Sequence, residues 1–239
     1  MKLELGYHPT IEVRELDYHC AGAGSFGVLY LSDLHLNRFG GPLVAQLEVL
    51  ITQLDPQLIL LGGDYVDGPR GVAHFGRLLR FLAARPHVFV VAGNHDEWFG
   101  LAEIKAMVEA HNLVWLGNET IEIELAGCWV AVSGKGAGGR AAAADFNILC
   151  LHQPLNPSCL RVTYNLILAG HLHGGQLVLW RSARGLYPGR LFYRWNILQA
   201  RLGHCLYIVS KGLGDTLPVR YNCPKDVVLV RVNPAQPTT

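Results

Sequence analysis

Cys-x-x-Cys pairs are absent from this chain, although it carries six cysteines: Cys20, Cys128, Cys150, Cys159, Cys205 and Cys223. At 239 residues a disulfide framework is not expected either. Several of the six sit inside apolar runs and read as buried free thiols of a reducing compartment. Charge is scarce, at 16% of residues, and the formal net charge of +1 gives no global nucleic-acid footprint. No uncharged apolar run approaches the roughly 18 residues that a bilayer-crossing helix needs. The start, "MKLELGYHPTIEVRELDYHC", contains acidic residues and no apolar core, so no signal peptide is expected. A cytoplasmic protein follows, with a membrane surface still within reach. What is abundant is apolar residues, 50% of the chain, enough for a large core with little room for disorder. With no internal repeat or linker, residues 1–239 are read as one domain.

Short apolar runs recur: Gly27–Ser32, Leu58–Leu61, His87–Ala92, Asn147–Leu151 and Asn165–Ala169. Runs that are apolar throughout suggest strands buried on both faces. Between the early ones, Leu43, Leu47, Leu50, Ile51 and Leu54 follow helical spacing up to Asp55-Pro56. Leu78, Leu79, Phe81 and Leu82 mark a second helix ended by Pro86, and Ala102 to His111 a third. The first half therefore reads β-α-β-α-β-α, which predicts parallel strands. Beyond about residue 113 the helices fade. "TIEIEL", "CWVAVSG", "QLVLW", "CLYIVS" and "VVLVRV" read as mixed or antiparallel strands. Two sheets packed face to face with helices outside, an α/β architecture, fit this order.

Polar residues follow each buried run. Asp33 and His35 follow the first, Asp64 and Asp67 the second, and Asn94, His95 and Asp96 the third. His152 follows the fourth, and His171 and His173 the fifth. Ligands of open α/β sheets bind beyond the carboxyl ends of the strands, so these groups should gather in one place. Five of the eleven histidines lie in these spots. In extended backbone, residues two apart project to one side, so His171 and His173 are able to converge. Carboxylate, imidazole and amide oxygen suit Mn²⁺, Fe or Zn²⁺. The candidates exceed what one ion needs, which favours a two-metal site with a bridging carboxylate. The absence of cysteine among them argues against a structural zinc.

The spacing Asp33-x-His35, Gly63-Asp64-x-x-Asp67, Gly93-Asn94-His95-Asp96, His152 and Gly170-His171-x-His173 resembles the calcineurin-like metallophosphoesterase family. "HGGQ" at His173 to Gln176 and the late "SKGLGDTLPVRYNCP" are similar to its YkuE/YaeI-like bacterial branch. The resemblance implies a four-layer αββα sandwich of two mixed sheets flanked by helices. It implies two divalent ions, with Mn²⁺ foremost and Fe or Zn²⁺ as alternatives. Asp33, His35 and His173 would hold one, Asn94, His152 and His171 the other, and Asp64 would bridge. His95 is similar to the family's non-ligand catalytic histidine, with Asp96 expected to orient it and Asp67 expected to act behind the ligands. The chemistry implied is metal-assisted hydrolysis of a phosphate ester.

"GKGAGGR" at Gly134 to Arg140 contains G-x-G-x-x-G at Gly134, Gly136 and Gly139. The next strand follows too closely and no acidic residue lies about 20 positions on, so a dinucleotide loop is not expected. The stretch Trp180 to Arg201 carries five arginines, no acidic residue and several aromatics. Within segment 177–201, Arg181, Arg184, Arg190, Arg194 and Trp195 are candidate substrate or membrane contacts. Such a surface suits anionic lipid headgroups, acyl chains or single-stranded nucleic acid.

The activity expected is cleavage of a phosphodiester or pyrophosphate bond in a nucleotide-linked lipid, with UDP-2,3-diacylglucosamine, giving lipid X and UMP, as the concrete candidate. Better-known enzymes of that step carry Arg where this chain has His95. The alternatives are a general phosphodiesterase, nuclease or phosphomonoesterase acting on nucleotides, and a non-catalytic metal-binding scaffold at a membrane. Oligomeric state is not read from the sequence.

Overall fold

The computed structural model describes residues 2–5, 10–20, 24–136, 144–160, 163–215 and 217–235. In chain order the elements of the first half are β1 (Leu3–Leu5), β2 (Ile11–Cys20), β3 (Phe26–Leu31), α1 (Gly41–Leu54), β4 (Leu58–Leu61), α2 (Pro69–Leu82), β5 (Val88–Val90), α3 (Asn94–Phe99), α4 (Leu101–Ala110) and β6 (Val114–Trp115). The second half adds β7 (Thr120–Leu125), β8 (Cys128–Ser133), β9 (Phe146–Cys150), β10 (Leu166–Ala169), β11 (Trp180–Ser182), β12 (Gly185–Tyr187), α5 (Gly189–Phe192), β13 (Gln199–Leu202), β14 (Cys205–Val209), β15 (Val219–Tyr221) and β16 (Lys225–Pro234).

Two six-stranded mixed sheets result. One runs β2-β16-β3-β4-β5-β6 and the other β13-β14-β10-β9-β8-β7. Each fully apolar strand splits its residues between two cores, because successive side chains point to opposite faces. Val28 and Tyr30 of β3 face the second sheet, meeting a layer that includes Val130, Ile148 and Leu168. Leu29 and Leu31 face outward onto Val44, Leu47 and Ile51 of α1 and Phe75 and Leu78 of α2. That is why β3, β4 and β5 needed apolar residues at every position. The pairs β3–β4, β4–β5 and β5–β6 are parallel, as the β-α alternation predicted.

Two mixed sheets with helices are the architecture expected. On the outer face of β9, β10 and β14, Leu155, Tyr164, Trp195 and Ile197 come from irregular segments. The structure departs from the sequence expectations in two places. "QLVLW" is not a strand, because Gly174, Gly175 and Gln176 all take positive φ and turn the chain; Leu177 makes one isolated bridge, and β11 begins only at Trp180. Strand β2 had drawn no strand expectation, yet it pairs in parallel with β16 along ten residues. Of the Gly134–Arg140 stretch, Ala137 to Arg140, with Gly139 of the glycine pattern, lie outside the described residues. Among the described residues no disulfide joins any of the six cysteines. Among the described residues no helix is long and apolar enough to cross a membrane.

Candidate metal centre

The carboxyl ends of β3, β4, β5, β9 and β10 meet at one edge of the sandwich and deliver the expected donors in two overlapping sets. In the first, His35 Nε2 lies 3.1 Å from His173 Nε2, which is 3.6 Å from Asp33 Oδ1. In the second, His152 Nε2 lies 3.2 Å from His171 Nδ1 and 2.9 Å from Asn94 Oδ1. Asp64 Oδ2 belongs to both, 3.7 Å from His35 Nε2 and 3.2 Å from His152 Nε2. His171 and His173, two apart, thus turn to different sets.

Local backbone makes this convergence possible at a cost. Asp33, His35, Asp64, His171 and His173 all occupy left-handed φ, at 55°, 44°, 58°, 69° and 49°. Such conformations cost non-glycine residues on the order of 1 kcal/mol or more each and persist where the surroundings impose them. Leu213 N and Gly214 N donate to Asp33 O, and His171 N donates to the Asp33 carboxylate at 3.0 Å. Gly63 at φ 91° brings its backbone against Gly93, where an added Cβ would meet Gly93 N at 2.5 Å.

The donor chemistry fits divalent cations. His152 Nδ1 donates to Gly62 O at 2.8 Å, which leaves the Nε2 lone pair facing Asp64 and Asn94. His35 Nδ1 is engaged by Asp67 Oδ1 at 2.7 Å, so its Nε2 also faces inward. Two imidazole nitrogens 3.1 Å apart repel unless a proton or cation lies between them. Outer partners of this kind fix the ring orientation of ligating histidines. Three groups of described residues have the reach to hold an ion: Asp33 with His35 and His173, Asp64 with His152 and His171, and His35 with Asp64 and His95.

In the metal-free protein the same crowding sets protonation. Burial works to raise Asp64, but the hydrogen bond and charge of His152, with the His95 amide, hold it at about 2. Burial works to lower His152, and Asp64 and Asp33 overcome it, raising the ring to about 9. Burial pushes His173 down to about 4, and burial with the neighbouring His152 charge lowers His171.

His95 stands beside this cluster, its Nδ1 3.3 Å from Asp67 Oδ1 and its ring centroid 4.9 Å from that of Trp98. The expectation that Asp96 orients His95 is corrected here. Asp96 points away into the protein, accepting from the amides of Asp64, Tyr65 and Gly93 at 2.8, 2.9 and 2.7 Å. As the third residue of α3 it caps that helix and ties the β4 and β5 loops together. Its burial raises it to about 6 against those three amides. The carboxylate that approaches His95 is Asp67, and no local signal would have separated the two.

The arginine-rich segment is only partly at the site. Arg194 and Trp195 line a hollow of about 310 Å³ with His171, Gln153, Phe192 and Tyr193. Arg181 lies in a separate groove with Trp180 and Asn222, donating to Asn222 O. Arg184 and Arg190 are bound to each other, Arg190 Nε donating to Arg184 O at 2.7 Å, and line neither hollow beside the centre. On the other flank a hollow of about 290 Å³ opens beside Asn94 and His152, lined by Gln153, Trp115, Asn118 and Lys135.

Parallel strands delivering an Asp/His/Asn cluster at their carboxyl ends define a metal-dependent phosphoesterase. The chain belongs to the calcineurin-like phosphoesterase family, whose model matches residues 26–175. It is 29% identical to "Phosphodiesterase YaeI" of Escherichia coli, over 96% of this chain and 90% of that protein. It is also 29% identical to the metallophosphoesterase YkuE of Bacillus subtilis, over 87% of this chain and 79% of that one. The solved phosphoesterase Yfce of E. coli superposes on 78% of this chain and 80% of its own at a TM-score of 0.44 and 17% identity.

Proposed function

We propose that this chain hydrolyses phosphodiester or pyrophosphate bonds with two divalent ions, one held by Asp33, His35 and His173 and the other by Asn94, His152 and His171. Asp64 bridges them. The observation that carries this is the position of Asp64 Oδ2, within 3.7 Å of His35 Nε2 and 3.2 Å of His152 Nε2. When bound, such a pair of cations supplies Lewis acidity that lowers the pKa of a water and neutralises charge on the phosphoryl oxygens.

The protein's own groups supply the rest. His95 acts as the imidazolium, with Asp67 Oδ1 3.3 Å from its Nδ1 and its Nε2–H directed toward substrate. His95 donates the proton that the departing alkoxide or phosphate needs, general-acid chemistry worth about 10²–10⁴ in rate. Asp96 acts at one remove, holding the Gly93–His95 turn in place.

The preferred substrate is an amphiphilic nucleotide-linked lipid, with UDP-2,3-diacylglucosamine as the compound to test and Mn²⁺ as the metal. Support comes from the unlike hollows beside the centre, one bearing Lys135 and Asn118, the other Phe192, Tyr193 and Trp195. Contact with an anionic membrane face follows from Leu191, Phe192 and Tyr193, which are 69%, 78% and 58% exposed beside Arg190 and Arg194. The name of the relative YaeI supports diester over monoester cleavage. The test is UMP release from UDP-2,3-diacylglucosamine by Mn²⁺-loaded protein, with Asn94→Ala as control. Release that the control abolishes is expected. Cleavage of bis(p-nitrophenyl) phosphate without UMP release would discard the lipid and retain the diesterase.

A further inference from the structure

Arg220, on β15, is buried to 2% exposure and takes no part in the chemistry above. Burying a guanidinium costs several kcal/mol unless every donor is met, and an apolar residue in its place is often no less stable. Here every donor is met. Nε pairs with Asp215, and Nη1 donates to Lys211 O at 2.8 Å and Cys223 O at 3.2 Å. Nη2 donates to Gly214 O at 2.7 Å, with Gly212 O and His173 Nδ1 both 3.4 Å away.

Three of those carbonyls belong to residues 211–214, and that loop carries no metal-site donor of its own. It is the loop against which one half of the centre is built. Leu213 N and Gly214 N donate to Asp33 O. A Cβ on Gly212 would stand 2.9 Å from Asp33 Cβ and 3.0 Å from His173 Nδ1, and one on Gly214 would stand 2.6 Å from His35 Cβ. The loop therefore touches Asp33, His35 and His173. The opposite set is held by other groups: His152 by Gly62 O, and the Asn94 turn by Asp96.

We propose that Arg220 is the positioning residue of the Asp33–His35–His173 half-site: by gathering the 211–214 carbonyls on one planar fork it fixes the wall against which those three ligands close. The inference rests on the two-ion reading above. A lysine has three donors and no fork, so charge alone does not replace it.

The test is metal stoichiometry and affinity on the full-length protein, by calorimetric Mn²⁺ titration of metal-free protein and the exchange-coupled Mn²⁺ pair signal in electron paramagnetic resonance. The wild type is expected to take two ions. Arg220→Gln should weaken one of the two about 10- to 100-fold, the usual effect of losing an outer-shell partner, leave the other unchanged and abolish the pair signal. Arg220→Lys should behave like Arg220→Gln, and it decides the matter if the Gln variant does not fold. Lys225→Met, which removes the other partner of Asp215 at 2.8 Å, should keep both ions. Two sites of wild-type affinity in the Arg220 variants, or equal weakening of both, would overturn the assignment. A wild type that binds one ion overturns the two-ion reading instead.

Discussion

Asp67 Oδ1 stands between two imidazoles, 2.7 Å from His35 Nδ1 and 3.3 Å from His95 Nδ1. One carboxylate oxygen thus stands within reach of both His35 of the metal-binding cluster and His95, the proposed proton donor. Replacing Asp67 by Asn keeps the shape and removes the negative charge that faces both Nδ1 atoms. The expected result is a fall in kcat of about 10²-fold or more, with weaker binding of the ion at His35. Steady-state kinetics at saturating metal separate the two effects: a defect that excess Mn²⁺ fully restores would place Asp67 on the metal side alone.

His95→Ala should lose about 10²–10⁴ in kcat while binding both ions, because the proposed mechanism gives its side chain to the substrate rather than to either ligand set. Metal analysis beside the rate measurement checks this. An unchanged rate, or loss of metal, would contradict the role given to His95.

Asp96→Asn should also reduce turnover, by a different route. Its two oxygens satisfy three amides, and an amide group offers one oxygen in their place. Leaving buried N–H groups unmet costs about 1–3 kcal/mol. The melting temperature should therefore fall, and added metal should restore part of the activity as Asn94 is drawn back. A variant as stable as wild type would show that Asp96 is not the tie between the β4 and β5 loops.

In the metal-free protein, His152 is raised to about 9 and Asp64 lowered to about 2, chiefly by each other once burial is overcome. The sign differs on the two flanks. The His152 contribution is fully present below its unfolded value of about 6.5 and is lost as pH rises through 9. The Asp64 contribution is present above about 3.8 and is lost as pH falls toward 2. One shared interaction produces both. Metal binding must displace the His152 proton and any proton on His35, whose pKa, against burial, Asp67 also raises, so apparent affinity should rise with pH between 7 and 9, with at least one proton released. Titrations in buffers of different ionisation enthalpy count that proton, and a count of zero at pH 7.5 would refute the pairing.

Arg190→Glu with Arg194→Glu should weaken binding to vesicles of anionic phospholipid, and added salt should weaken the wild type in the same direction. Co-sedimentation measures it. Retention equal to wild type would remove the lipid surface from the account and leave Phe192 and Tyr193 as walls of the hollow beside His171.

The donors were legible in the chain because their placement is local. Buried strands announce themselves by continuous apolar runs, and Asp33, Asp64, Asn94, His152 and His171 each stand within a few residues of a strand end. Parallel topology then gathers them with no further information. Strand β2 was not legible, since Glu12, Arg14, Glu15 and Asp17 interrupt its pattern and its partner β16 lies more than 200 residues away. The division of labour between Asp67 and Asp96 was hidden for a related reason. Both carboxylates follow buried strands closely, but which one meets His95 depends on how the β4 and β5 loops cross, and one carboxylate is consumed by three amides from those loops. Arg220 is the furthest case: "PVRYN" says nothing of metals, and its meaning arises only where β15 lays a guanidinium beneath His173. Residue type and strand-end position, being local, specified the chemistry of this protein. Which side chain holds which was settled by contacts between segments distant in the chain, because hydrogen-bond partners are chosen by geometry that no short stretch contains.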